Sequence, residues 1–122
     1  MWKLKIVFVL FWVVAQQVVA VAKTRVDYDR DIRPILSETC FACHGPDENT
    51  RQAELRLDID NDHFSALLAS GNPVNSELLQ RLTSEDSETK MPPADSKKQL
   101  TSKQIELIRQ WIKEGAQVDG HW

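Results

Sequence analysis

Both cysteines of this chain fall within five residues, Cys40-Phe41-Ala42-Cys43-His44. No other stretch constrains the fold as strongly. Two thiols three positions apart lie on one face of a helical turn. A pair so close in sequence cannot staple distant segments, and a bridge across so small a loop would restrict the unfolded chain little. The pair therefore acts locally, and residues elsewhere must complete whatever it builds.

The chain opens with "MWKLKIVFVLFWVVAQQVVAVA". Lys3 and Lys5 precede an apolar run from Ile6 to Ala15, and Ala20-Val21-Ala22 places small residues where a signal peptidase cuts. Residues 1–22 read as a secretory signal peptide, with an uncleaved membrane anchor as the rival. A span needs about 20 apolar residues, and here Gln16-Gln17 interrupts a shorter run, which favours cleavage after Ala22. No cysteine lies near that point, which argues against lipid attachment there. Any membrane contact would run through this segment alone. Residues 23–122 are left as one domain, exported to the periplasm or the exterior.

Loss of Lys3 and Lys5 sets 13 basic residues against 18 acidic ones, a net charge near −5. That balance argues against a nucleic-acid partner. Export places Cys40 and Cys43 in an oxidising compartment. A domain of about 100 residues has a small core and gains from a staple or a cofactor.

Periodicity predicts short helices joined by polar loops. The first runs from about Asp31 to Cys43, with Asp31 as N-cap and Pro34 in the first turn, where its missing N–H costs nothing. Ile32, Ile35, Leu36, Cys40 and Cys43 share a face. "AELRLDI" alternates Leu55, Leu57 and Ile59, the pattern of a short extended segment with one buried edge. Helices follow over about Asp62–Ser70, stopped by Gly71, and about Ser76–Thr83. In the last helix Thr101 and Gln104 form a capping box, Ile105, Ile108, Trp111 and Ile112 form the stripe, and Gly115 ends it. The expected class is all-α.

Three chemistries compete for the pentapeptide. Structural zinc needs four ligands, usually in two clusters; His63 and His121 fit no common spacing, and there is no second cysteine pair. A redox dithiol wants a helix N-terminus in a βαβ setting and has no use for His44. Covalent haem attachment uses all three residues: two thiols for the two vinyl groups, and a histidine for the iron. Export agrees with it, because c-type haem is attached outside the cytoplasm.

A six-coordinate iron needs a second axial ligand from elsewhere. Met91 is the only methionine beyond the leader and sits in "KMPPADS". A lone methionine is often core filler. This one lies in a polar loop stiffened by Pro92 and Pro93, which favours it as ligand. His63 and His121 are rivals. Methionine ligation would raise the potential above that of a bis-histidine site. A haem would give Ile35, Leu57, Phe64, Leu67, Leu82 and Trp111 something to pack around. Arg33, Arg51 and Arg56 are candidate propionate partners, Arg56 first because it lies between Leu55 and Leu57. The Pro46 carbonyl is a candidate acceptor for the His44 N–H.

"VDYDRDIRPILSETCFACHGPDENTRQAELRLD", "MPPADS" and "LTSKQIELIRQWIKEGAQVDGHW" together resemble the planctomycete-type cytochrome c domain. The resemblance implies a small class I-like helical fold around one haem c, attached at Cys40 and Cys43, with His44 proximal and Met91 distal. The family often carries a glycine before "LRLD", where this chain has Glu54. Such domains usually open longer exported proteins, so the chain can be the N-terminal piece of one.

The leading expectation is an exported mono-haem electron carrier, not itself an enzyme, that serves a redox partner protein. The rival of another class is a haem sensor, or a haem domain serving a larger catalytic protein, with an open or displaceable distal site. A third is a haem-free module held by a Cys40–Cys43 bridge.

Overall fold

Asp27 starts the fold, four residues ahead of the expected Asp31. The structure is a computed structural model that describes residues 24–118; the leader and His121 lie outside the described residues. The Asp27 carboxylate accepts the Arg30 N–H at 2.7 Å, and Asp31 accepts the Asp27 N–H at 2.9 Å. Asp31 is thus inside the helix it was expected to cap. The first turn, Tyr28–Ile32, is π-helical, with the Arg33 N–H reaching back to the Tyr28 carbonyl. It runs into α1, Arg33–Thr39. Pro34 explains the join: it has no N–H to donate and its ring crowds the preceding turn, which the wider π turn tolerates. α1 ends at Thr39, so both cysteines sit in the irregular turns that follow.

α2 spans Asp62–Leu68, capped by Asn61, whose side chain accepts the Phe64 N–H at 2.9 Å. It stops at Ala69, left-handed at φ 49°, two residues before Gly71. A 3-10 turn, Pro73–Asn75, leads into α3, Glu77–Thr83, capped by the fully buried Ser76. α4 spans Ser102–Lys113 and carries the expected capping box in both directions, at 3.1 and 2.9 Å. Gly115 ends it at φ 107°, a conformation open to glycine.

There is no strand among the described residues, and the fold is all-α. The expected extended "AELRLDI" is a loop. Ala53 and Glu54 both have positive φ, 55° and 52°, which breaks the alternation at its start. Leu57 alone of its three aliphatic residues is fully buried.

The core joins both ends of the described chain. Tyr28, Ile32 and Leu36 pack with Ile108, Trp111 and Ile112 of α4 and with Phe64, Leu68 and Leu79. The Tyr28 and Trp111 rings lie 5.5 Å apart at 34°. The Trp111 indole donates to the Gln117 carbonyl at 3.1 Å, so its polar edge is satisfied. The Glu114 carboxylate accepts the Val26 N–H at 3.0 Å, which ties the incoming chain to the end of α4.

Candidate functional site

The Cys40–His44 stretch is a doubled turn built on two carbonyls. Cys40 and Phe41 both donate to the Leu36 carbonyl, and Cys43 and His44 both donate to that of Cys40. Gly45 lets the chain fold back underneath. It is buried, and a Cβ there would stand 2.2 Å from the Phe41 carbonyl oxygen. The next loop returns and clasps the turn: the Gln52 N–H donates to the Cys43 carbonyl at 2.7 Å and the Leu57 N–H to that of His44 at 2.8 Å. Arg51, only 12% exposed at its side chain, donates to the carbonyls of Gly45 at 2.9 Å and Pro46 at 3.0 Å.

This wiring replaces one expectation. The Pro46 carbonyl receives Arg51, and His44 Nδ1 instead lies 3.2 Å from the Gln52 carbonyl oxygen. The Gln52 backbone is already fixed against Cys43, which brings its carbonyl to the ring. A carbonyl only accepts, so Nδ1 carries the proton and Nε2 keeps its lone pair. Burial lowers the His44 pKa, and the positive charge of Arg81 adds to the effect. Both favour the neutral imidazole that a metal requires. Burial pushes the Cys40 thiol up, opposed by its 3.3 Å contact with the Thr39 hydroxyl. Cys43 is exposed, and both thiols are unbonded.

Met91 arrives from the loop after α3. Its N–H donates to the Arg81 carbonyl at 3.0 Å, and Pro92 behind it is buried. The α3 end thereby sets where the thioether stands.

Cys40, Cys43, His44 and Met91 line one cavity of about 560 Å³, within the size range of ligand and cofactor sites. Leu55, Leu57, Leu67, Leu78 and Leu82 supply apolar wall. The expected packing is met by Leu57, Leu67 and Leu82, while Ile35, Phe64 and Trp111 belong to the core instead. His63 also lines the wall.

Arg56 is not brought to this cavity. Its guanidinium grips both oxygens of Asp58, at 3.0 and 2.5 Å, and holds that carboxyl below the usual carboxylate range. Arg33 and Arg51 do not line the wall either. Arg81 and Glu77, which sequence reasoning passed over, do. Their i,i+4 spacing resembles any solvated helix pair. The available signal was their position beside Leu78 and Leu82, the residues that face the cavity.

Among the described residues no group of three or more His, Cys, Asp or Glu side chains is placed to hold a bare metal ion. Haem c asks for a different set: two thiols one turn apart, an unprotonated imidazole nitrogen, a thioether and an apolar wall. These residues fit that set.

Residues 40–95 match the family model described as Planctomycete cytochrome C. The match supports a planctomycete-type cytochrome c domain, and the all-α architecture agrees with a small cytochrome c-like fold. The matched range takes in Cys40, Cys43, His44 and Met91 and ends before α4. No curated protein and no solved structure matches the chain. The family implies haem c with iron and haem-based electron transfer.

Proposed function

We propose that the protein is an exported mono-haem c-type cytochrome that carries single electrons, with His44 and Met91 as axial ligands and Cys40 and Cys43 as the thioether sites. The carrying observation is that these four side chains, from the turn after α1 and the loop after α3, line one apolar-walled cavity. When bound, haem supplies a one-electron iron couple whose potential the axial ligands and the surrounding burial set. His44 is prepared for its role by the Gln52 carbonyl, which fixes the tautomer and the ring plane. Met91 is held by its own backbone bond to Arg81 and would supply the second ligand. With both positions filled no coordination site is left for a substrate, so the domain carries charge and makes no bond. The exposed Cys43 lies at the face where a redox partner protein would dock. Export through residues 1–22 supplies the compartment in which c-type haem is attached. Among the described residues no helix is long and apolar enough to cross a membrane.

Expression in a host with c-type haem maturation tests the reading. Mass spectrometry should give polypeptide plus one non-reducible haem. The ferric spectrum should carry the weak far-red band of methionine ligation, and Met91→Ala should lose that band and lower the potential. Absence of covalent haem would sink the proposal. Covalent haem with high-spin ferric bands in the wild type would replace it with the open-site sensor or catalytic reading.

A further inference from the structure

We propose that Arg81 anchors the carboxylates of the haem, a role that rests on the haem reading above. Among the described residues that line the cavity, Arg81 is the only lysine or arginine. A haem is an apolar disc with carboxylates along one edge. Most of the wall is aliphatic, so that edge has to meet the polar part of the lining or water.

The hydrogen bonding of Arg81 leaves it able to serve. Its Nε and Nη2 donate to a single oxygen, Oε1 of Glu77, at 3.1 and 2.9 Å. Nη1 has no protein acceptor among the described residues. A guanidinium holds five N–H donors in a fixed fork, so one edge can stay on Glu77 while the other takes a second carboxylate. The pair is half exposed, with side-chain exposures of 40% and 50%, and such pairs rearrange at little cost. Arg56 differs in two ways: it donates to both oxygens of Asp58, and it stands off the cavity. Arg81 also carries the carbonyl that receives the Met91 N–H, so one residue fixes the distal loop and presents the cation.

The holoprotein and its Arg81→Gln, Arg81→Lys and Glu77→Gln variants test this by redox titration, with thermal unfolding as control. Removing a positive charge beside the haem disfavours the less positive ferrous state. Arg81→Gln should lower the ferrous-to-ferric ratio at fixed ambient potential by about tenfold, which is about 59 mV for one electron. Arg81→Lys should recover at least half of that loss, and Glu77→Gln should not lower the ratio. Added acetate should leave the wild type unchanged, because the haem carboxylates already occupy the fork.

An Arg81→Gln ratio within twofold of wild type would overturn the assignment. So would a fall in Glu77→Gln equal to that in Arg81→Gln, which marks a merely structural ion pair, or a wild-type potential that falls with acetate, which marks a site open to solution anions. If Arg81→Gln fails to fold, the wild type and Glu77→Gln decide: a Glu77→Gln ratio at or above wild type with no acetate effect supports the assignment, and a lower ratio or a fall with acetate overturns it. A wild type without covalent haem fails the proposed function instead.

Discussion

Replacing Gly45 with alanine should destabilise the domain through a clash that no side chain can relieve. The added Cβ would stand 2.2 Å from the Phe41 carbonyl oxygen, 3.0 Å from its carbon and 3.2 Å from its Cα. Comfortable non-bonded contact begins near ~3.5 Å, so about 1 Å of backbone displacement is needed. Neither side can give it freely. Leu57 grips the His44 carbonyl and Arg51 grips that of Gly45, while Phe41 is tied to Leu36. Overpacking of this kind costs about 1–3 kcal/mol. Loss of one turn hydrogen bond adds about 1 kcal/mol. The reduced freedom of the unfolded chain returns about 0.4–1 kcal/mol. The net loss is about 2 kcal/mol, which in a domain of this size lowers Tm by roughly 8–16 °C. Circular dichroism at the helical minimum during heating reads it directly. A Gly45→Ala protein melting within about 2 °C of wild type would refute the close approach of the two backbones.

The clasp around the turn has its own test. Arg51→Ala removes two charge-assisted hydrogen bonds from a nearly buried side chain. It should cost about 2–3 kcal/mol in urea unfolding, with Arg51→Lys recovering part because one ammonium cannot fork across both carbonyls. A loss below about 0.5 kcal/mol would tell against it. The Asp58 carboxyl is held below its usual range by Arg56, and that of Asp31 by Arg30. A lowered folded pKa adds stability that is present above the unfolded value near ~3.9 and is lost as pH falls through the folded one. The urea midpoint should therefore fall on acidification below about pH 4, less steeply in Asp58→Asn than in wild type. Equal slopes in the two proteins would remove Asp58 from the account.

What was legible in the sequence was what local chemistry decides. The α4 capping box, Ser76 before the Leu78–Leu82 stripe, and the Gly115 stop each involve residues within a few positions of one another. The start of the fold was misplaced because Asp27 and Asp31 suit a cap equally well by type, and Pro34 then selects the π turn. The leucines of "AELRLDI" alternate for a different reason than a strand's do: Leu55 and Leu57 both line the cavity, and the Leu57 N–H ties the loop to the His44 carbonyl. Glu54 sits at φ 52°, a backbone conformation in which a glycine would be at ease. The four candidate donors were identifiable by residue type and spacing. The Gln52 carbonyl was not, since any residue offers a carbonyl and only the returning loop brings this one to His44. Arg81 was hidden for the converse reason: a charged pair on a short helix reads as solvated until the neighbouring wall is seen.

The division between core and cavity bears on what each proposed haem contact contributes. Trp111, Phe64 and Ile35 are core residues that do not line the cavity, while Leu57, Leu78 and Leu82 belong to both. Cys40, Cys43 and His44 all lie within one doubled turn, so attachment through them closes no long loop and leaves the haem pendant on the end of α1. Met91 is different. A bond between it and the same iron would join that turn to a loop on the far side of α2 and α3. Closing a loop of roughly 50 residues restricts the unfolded chain by up to about 4 kcal/mol, a ceiling for a bond that can open. The thioether is a weak ligand, and a preformed loop decides whether that ceiling is approached. Here the Met91 N–H on the Arg81 carbonyl and the buried Pro92 hold the loop beforehand. The ordering is supplied by α3, ahead of any iron–sulfur bond. This is how a weak ligand can both set a potential and fasten the two segments that form the site.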